Sequence, residues 1–221
     1  MPSLELPRRS LSLVIIEASV CLSMNVISIT GNLLVCLAVY KNPKLRSTIN
    51  VYIIALAASD LLCATVDMPL TSAVLIIGKW DFGDALCQFF GFVDSFVTYV
   101  TPATTAGLMA FNRYMQIVKT NHYKKIFSPR KSKSWLNCVW LSLMFYLLIS
   151  RVASWSSFEF TPGYAVCSFA FTTSENRIIH YCIVFGLFFA LPFFVGFFSY
   201  YKVFMKIRQH ELDVGSSVTE F

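Results

Sequence analysis

Charged residues are scarce in this sequence. Only 14% of its 221 residues are charged and 56% are hydrophobic, whereas about a quarter of the residues in a soluble domain carry charge. This composition excludes an ordinary soluble fold. The sequence also lacks His-Glu-x-x-His, Gly-x-Ser-x-Gly and paired catalytic carboxylates, so nothing in it favours an intramembrane enzyme.

The sequence contains five long apolar runs. Each is long enough for the helix of about 20 residues that crosses a bilayer, and all are too long for barrel strands of about ten residues. The sequence predicts an all-α membrane protein, a bundle of five transmembrane helices. The helices are expected at about 11–40, 50–77, 88–118, 134–155 and 178–205 of a membrane domain spanning 11–208.

Lysine and arginine are unevenly distributed between the two sides of the predicted bundle. The segments after the first, third and fifth helices hold three (Arg46 among them), six and three basic residues, and Arg113 makes 13, against five on the other side. The positive-inside rule places the basic side in the cytoplasm. We therefore expect a multi-pass plasma-membrane protein with an extracellular N-terminus at 1–10 and a cytoplasmic polar tail at 209–221. The net charge of +6 is a topology signal, and no nucleic-acid partner is expected.

A polar stripe runs along the third apolar block. It consists of Asp94, Thr98, Thr101, Thr105 and Asn112, spaced four, three, four and seven residues apart. That spacing places the side chains on one face of a helix. Such a face turns towards other helices or a wet interior and not towards lipid.

Two further polar residues fall within predicted helices. The Asn32 amide and the Asp60 carboxylate need interior partners in the membrane, and a structural hydrogen bond between them is one alternative. Carboxylates such as Asp60 and Asp94 also mark ion paths, so a transporter or channel subunit is a competing function. The internal repeats common in transporters are not seen.

Two of the seven cysteines lie outside the predicted helices on the extracellular side. These are Cys87, at the start of the third helix, and Cys167, in the loop before the fifth. Because that compartment is oxidising, we predict a disulfide between them.

A set of motifs in a fixed order resembles the rhodopsin-like family of seven-helix G-protein-coupled receptors. The resemblance extends from Gly31 to Arg208. The motifs are Gly31-Asn32, Leu56-Ala57-x-x-Asp60, Trp80-x-Phe82-Gly83, Cys87, Asn112-Arg113-Tyr114, Trp140, Cys167, and Pro192 with Tyr200. The resemblance implies a receptor that senses a small extracellular ligand and signals to a heterotrimeric G protein.

The same resemblance implies a switch for G-protein coupling at the cytoplasmic end. Its residues would be Asn112, Arg113, Tyr114, Ile117 and Tyr200. Relatives with an acid before the arginine use the ion pair to hold the closed state. Because an asparagine stands there in this sequence, we hypothesise a weaker lock and some basal activity.

A second implied site is a sodium pocket, since Asn32 and Asp60 match positions that frame one in the family. No metal-ligand cluster and no other cofactor are expected. The sequence does not exclude retinal as a cofactor, because the lysine that would identify an opsin lies on the seventh helix of the family.

The ligand site is expected in the outer half of the bundle. Asp94 lies seven positions after Cys87, where amine-binding relatives place the carboxylate that pairs with a ligand cation. Counting back from Arg113 gives Ser95 instead. Asp94 is therefore either a cation-recognising residue or a neutral, hydrogen-bonded interior acid. Thr98 and Phe188 are further candidate ligand contacts.

Within the family, two motifs are similar to the melatonin receptors. These are Asn-Arg-Tyr in place of Asp-Arg-Tyr, and Cys87-Gln88-x-x-Gly91-Phe92. Phe188 departs from that pattern, because melatonin receptors carry a histidine there. The spacing of 26 residues from Cys87 to Arg113 is also one longer than usual, and we expect a helical bulge near Pro102 to absorb the extra residue.

The family has seven helices, and this sequence contains five apolar blocks. One expectation is a fragment or an incomplete gene model of a receptor. The other is a truncated, non-signalling isoform that associates with a full-length receptor as a dimer.

Overall fold

A computed structural model describes residues 4–45 and 47–218 of the chain. Arg46 of the predicted cytoplasmic basic segment and the ends 1–3 and 219–221 of the predicted termini lie outside the described residues.

Long helices packed side by side form the described chain, together with one antiparallel hairpin. The helices are α1 (Leu11–Lys41), α2 (Thr48–Leu62), α3 (Met68–Ile77), α4 (Gly83–Asp94), α5 (Thr101–Ile117), α6 (Thr120–Ile126), α7 (Pro129–Val152), α8 (Ser174–Ile183) and α9 (Leu191–Val218). The strands are β1 (Ser156–Thr161) and β2 (Val166–Phe171), with Phe160 opposite Cys167. The hairpin was not predicted, and neither was α6.

Three pairs of helices are joined end to end by π-helical segments, which makes five spans in all. The segments are Cys63–Asp67 between α2 and α3, Ser95–Val100 between α4 and α5, and Val184–Ala190 between α8 and α9. The second, third and fifth spans are therefore each a composite helix, and α1 and α7 are the first and fourth spans.

Four described helical stretches are long and apolar enough to cross a membrane: Leu11–Lys41, Thr48–Ile77, Pro129–Val152 and Ser174–Leu212. The third span carries the polar stripe and is not among them. It nevertheless packs against the second, fourth and fifth spans, as a central helix does. The prediction of an all-α membrane bundle is confirmed, with a count of five that includes this more polar central helix.

The helices extend beyond the predicted apolar blocks. The fourth span begins at Pro129, where the Ser128 hydroxyl accepts a hydrogen bond from the Lys131 N–H, and the fifth begins after Thr173, which caps the Asn176 N–H. The α9 helix continues through Val218, into the predicted polar tail. Apolar content marks only the lipid-facing length of a helix, whereas polar caps set its ends.

Each π-helical segment ends two residues before a proline: Pro69, Pro102 or Pro192. Proline has no N–H and its ring clashes with the carbonyl one turn earlier. A π turn adds a residue to that turn, and helices commonly accommodate such distortions this way. The bulge predicted near Pro102 is the segment Ser95–Val100.

The third and fifth spans approach each other closely at Gly107. A Cβ atom on Gly107 would lie 2.9 Å from the Pro192 Cβ and 3.0 Å from the Pro192 carbonyl oxygen. Only glycine fits there without movement of a neighbouring backbone.

We predict that Gly107→Ala destabilises the bundle by about 1–3 kcal/mol, the usual cost of overpacking. Gly196→Ala is the matched control, because a Cβ there meets nothing within 4 Å and the gain in helix propensity is the same. Thermal unfolding of the purified variants in lipid nanodiscs measures the difference. Equal midpoints for the two variants would contradict the close approach.

Candidate ligand and signalling sites

The outer end of the third span is covalently joined to the hairpin. Cys87 of α4 forms a disulfide with Cys167 of β2, with a Cα–Cα distance of 5.5 Å across 80 residues of sequence. The predicted pairing is confirmed. Since β2 leads directly to the fifth span, the bond connects the third span, the hairpin and the start of the fifth span at one end of the bundle.

Gln88, the next residue, reinforces this connection with two hydrogen bonds. Its Nε2 donates to the Phe158 carbonyl (2.7 Å), and its Oε1 accepts from the Phe158 N–H (3.1 Å). One turn later, a Cβ on Gly91 would lie 2.4 Å from the Phe158 ring. The motif Cys87-Gln88-x-x-Gly91 therefore forms one docking face for the hairpin.

An aromatic cluster fills the space beside this docking face. The buried Trp80 ring lies 5.7 Å from the Phe160 ring and 5.8 Å from the Phe90 ring, and its N–H donates to the Gly83 carbonyl at 2.9 Å. The cluster belongs to the hydrophobic core that holds the hairpin over the outer end of the bundle.

Outside the membrane spans, the rim of this end carries one ion pair among the described residues, between Lys79 and Asp81 at 2.7 Å. The hydrogen bond and then the charge of Asp81 raise the pKa of Lys79. The N-terminal segment pairs with the same rim, since the Leu6 N–H donates to the Gly78 carbonyl at 2.8 Å.

A buried histidine lies beneath the hairpin. His180, on the fifth span, is 4% exposed, and its Nδ1 is 2.8 Å from the Tyr146 hydroxyl of the fourth span. The Phe169 and Phe171 rings lie 4.2 and 5.0 Å from the imidazole ring. Sequence reasoning missed this pair because the two residues are 34 positions apart and share no local motif.

Phe188, a predicted ligand contact, lies close to this histidine pair. It is buried in a cluster with Leu143 and Leu147, and its ring is 6.4 Å from the Tyr146 ring. A small cavity of about 40 Å³ adjoins His180 and Ser95.

Asp94 and Thr98, the outer members of the polar stripe, form a second polar group, in which Asp94 is partly buried and Thr98 is exposed. The predicted interior orientation therefore does not hold at Thr98. The Thr98 hydroxyl donates to Asp94 Oδ1 at 3.0 Å. Asp67 of the second span, a residue that the sequence analysis did not assign to any site, is buried, and its segment Cys63–Asp67 packs against α4.

Asn32 and Asp60 do not make the structural hydrogen bond considered from the sequence, as far as the described residues show. Asn32 Nδ2 donates to the Ser28 carbonyl of its own helix at 2.9 Å, and Asp60 is exposed. The sodium site at these residues stays a prediction.

The inner half of the polar stripe is buried in the bundle. Thr101, Thr105 and Asn112 are 0% exposed, and Trp140 Nε1 of the fourth span donates to the Thr105 hydroxyl at 3.3 Å. The interior orientation predicted for the stripe therefore holds at these three residues.

Four of the predicted switch residues lie at the end of α5, and the fifth, Tyr200, lies on α9. The Asn112 amide has no hydrogen-bond partner within the described chain. Arg113 is exposed and is in neither of the ion pairs that the described residues form. The Tyr114 ring lies 5.8 Å from the Phe198 ring of the fifth span, and Ile117 and Tyr200 are exposed.

The hairpin covers one end of the bundle, and the exposed Arg113 lies at the other end. This is the arrangement that the sequence motifs imply. The family model described as 7 transmembrane receptor (rhodopsin family) matches residues 31–219. The chain belongs to this receptor family. It is a multi-pass membrane protein, and receptors of this family partner with ligands and G proteins in general.

Individual relatives of the receptor agree with the family match. The sheep (Ovis aries) melatonin receptor type 1A is 30% identical over 87% of this chain and 51% of its own length. The Xenopus laevis high-affinity lysophosphatidic acid receptor is 27% identical over 89% and 52%. The crystal structure of squid rhodopsin superposes with a TM-score of 0.80 at 25% identity, covering 97% of this chain and 58% of that one. The receptor chain spans about half the length of the curated relatives it matches.

We predict that Gln88→Met loosens the hairpin without breaking the disulfide. Methionine keeps the length of the side chain but neither hydrogen bond, and an unpaired buried amide costs about 1–3 kcal/mol. The Phe158 amide is expected to exchange its proton about tenfold faster in hydrogen–deuterium exchange.

The matched control for this change is Gln116→Met, at an exposed position of the same span. The same exchange rate at Phe158 in the Gln88 variant and in the control would contradict a role of the Gln88 hydrogen bonds in holding the hairpin.

Proposed function

We propose that the chain forms the first five helices of a receptor that binds a small extracellular ligand among its spans and activates a heterotrimeric G protein. The arrangement at one end of the bundle carries this proposal. There the hairpin covers the Tyr146–His180 pair, and the third span carries the partly buried Asp94. In this orientation the N-terminus is extracellular.

The polar groups beneath the hairpin suit a small ligand. Binding sites for small molecules are mostly apolar, with a few polar groups that fix orientation. Phe169, Phe171 and Phe188 supply the apolar surface beside His180. Asp94, partly buried, supplies a carboxylate for a ligand cation.

The opposite end of the third span suits contact with a G protein. Arg113 and Ile117 are exposed there, and basic residues follow in the segment 119–133. In the family resemblance, Arg113 is the residue that meets the G protein when the bundle opens. The sodium ion at Asp60 and retinal as a cofactor remain hypotheses beside this function.

An association with a full-length receptor is the second candidate function. It is favoured by an apolar groove of about 660 Å³ between α5 and α9, lined by small side chains such as Ala103 and Ala106 and by aromatic ones such as Phe193 and Tyr200. Small residues allow close approach of another helix within a membrane. The transporter or channel alternative loses its support, because the chain belongs to the receptor family.

We predict that Asp94→Asn weakens the response to cationic ligands in the complete gene product. Removing one partner of a buried charge pair costs about 2 kcal/mol or more, which lowers potency about thirtyfold. G-protein activation in cells, screened with small amines and their neutral analogues, measures this potency at matched surface expression.

Asp81→Asn is the control for this loss of charge, because it removes an exposed carboxylate at the rim. An unchanged amine response in Asp94→Asn would exclude the ligand role of Asp94.

We predict that Asn112→Asp lowers basal signalling of the complete gene product about fivefold. The new carboxylate supplies the partner that Arg113 lacks in the described chain, and about 1 kcal/mol in favour of the closed state shifts its population by that factor. Ligand-independent G-protein activation is the measurement, and Asn121→Asp, in the exposed part of α6, is the control. Basal output equal to that of the control would contradict the weak-lock hypothesis.

A further inference from the structure

A lysine lines an apolar groove at the inner end of the bundle, the end that carries Arg113. The groove lies between α1, α2 and α7 and has a volume of about 710 Å³, within the range of about 300–1,000 Å³ that is typical of ligand sites. Leu37 of α1 and Ile54 of α2 are among its apolar residues, and both are exposed in the described chain. Asn50 of α2 and Lys133 of α7 add polar groups.

The second span forms the floor of this groove. The helix α2 packs against both α1 and α7, so the first and fourth spans flank it. Val51 and Asn50 lie on this floor, and the Asn50 Nδ2 donates to the Leu45 carbonyl. The exposed Ser47 precedes α2 and lines the groove, but its side chain makes no capping hydrogen bond. The Ser47 hydroxyl can therefore bind a molecule in the groove.

The charge around the groove is positive and unpaired. Lys133 is exposed and belongs to neither ion pair of the described chain. Lys131 differs, because its Nζ donates to the Lys125 carbonyl at 2.5 Å. The two sequence segments at this end, 41–46 and 119–133, contain three and six lysine and arginine residues and no aspartate or glutamate. The inner end therefore attracts anions from outside the chain.

The lysine determines what kind of molecule the groove suits. A helix of another protein packed here would bury the Lys133 ammonium in an apolar interface, which is costly without a counter-ion. The groove between α5 and α9 is different, since no charged side chain of the described residues lines it. A phospholipid has apolar chains that match Leu37 and Ile54, and a phosphate that matches Lys133.

The surrounding positive charge favours one class of phospholipid. Every phospholipid has a phosphate, but only an anionic one keeps a net negative charge. The cytoplasmic leaflet of a membrane contains such lipids, and basic pockets between helices on that side bind their headgroups. In the orientation proposed above, the groove opens into that leaflet.

We propose that the groove between α1, α2 and α7 binds one anionic phospholipid of the cytoplasmic leaflet. Lys133 and the Ser47 hydroxyl hold its headgroup, and the apolar residues of the first two spans hold an acyl chain. The site is separate from the proposed ligand site, and its function goes beyond ligand binding and G-protein activation.

Native mass spectrometry of the purified chain in detergent tests this proposal. Phosphatidylserine is the anionic probe, and phosphatidylcholine with the same acyl chains is its zwitterionic counterpart. The apparent Kd of the first bound lipid is measured for each. A lysine near the membrane surface raises the affinity for an anionic lipid about fivefold. We therefore expect phosphatidylserine to bind at least about fivefold tighter than phosphatidylcholine, and equal affinities would overturn the proposal.

The headgroup contact is tested by removing its charge. We expect Lys133→Gln to reduce the preference for phosphatidylserine about fivefold. Lys124→Gln removes the same charge from an exposed position of α6 outside the groove and should keep the preference. An equal loss in both variants would indicate diffuse attraction to the basic surface and overturn the site. An unchanged preference in Lys133→Gln would overturn it as well.

The acyl-chain contact is tested by filling the groove. We expect Leu37→Trp to abolish the preference for phosphatidylserine, because the indole ring occupies the place of an acyl chain. Leu34→Trp is the matched control, because Leu34 is exposed on the same helix and lies outside the groove. Leu37 and Leu34 are both exposed, so both variants are expected to fold. The same preference in the two variants would exclude the groove as the lipid site.

Two further measurements identify a different occupant, and we expect both to be negative. Glycerophosphoserine is the headgroup without acyl chains. If it displaces phosphatidylserine at equal concentration, the site binds free anions, and the phospholipid assignment is wrong. If dimers in the mass spectrum disappear in Leu37→Trp but persist in Leu34→Trp, while lipid binding is unchanged, a second copy of the chain occupies the groove and the proposal is overturned.

Discussion

Within the hydrocarbon core of a membrane, every backbone polar group must find its partner inside the protein. The spans meet this constraint as helices, and the π segments maintain it around the three interior prolines. Hydroxyl side chains obey the same rule by donating to carbonyls of their own helix. Thr65 donates to the Leu61 carbonyl at 2.7 Å, and Ser95 donates to the Gly91 carbonyl at 2.6 Å. These local bonds let polar residues lie in an apolar bundle at little cost.

Side chains that cannot use this local solution are the informative ones. An ionised carboxylate only accepts hydrogen bonds and cannot pair with a helix carbonyl, and an amide has more polar groups than one carbonyl can satisfy. Asp67 and Asn112 are both buried, one near the proposed ligand site and the other beside the switch arginine, and the Asn112 amide has no hydrogen-bond partner in the described chain. A buried unsatisfied group is a cost to folding, and in a receptor such a cost can be offset by a ligand or by a change of state.

The hairpin, which lies outside the membrane spans, also depends on contacts within the protein. There the hairpin is held in place by the disulfide, the two Gln88 hydrogen bonds and the aromatic contacts of Trp80. They join the third span to the segment that enters the fifth. Consequently the polar groups of both spans are held beneath one cover, which makes a single binding region from residues far apart in sequence.

The sequence by itself determined the membrane class, the spans, the receptor family and the Cys87–Cys167 bond, because hydrophobic length and spaced motifs are local properties. Tertiary structure decided what lies between the spans. The partner of His180, Tyr146, comes from another helix, so no local pattern contains it. The burial of Asp67 depends on a π turn that breaks the helical period from Asp60. Helix ends also differed from the apolar blocks, because caps at Ser128 and Thr173 lie outside the hydrophobic length.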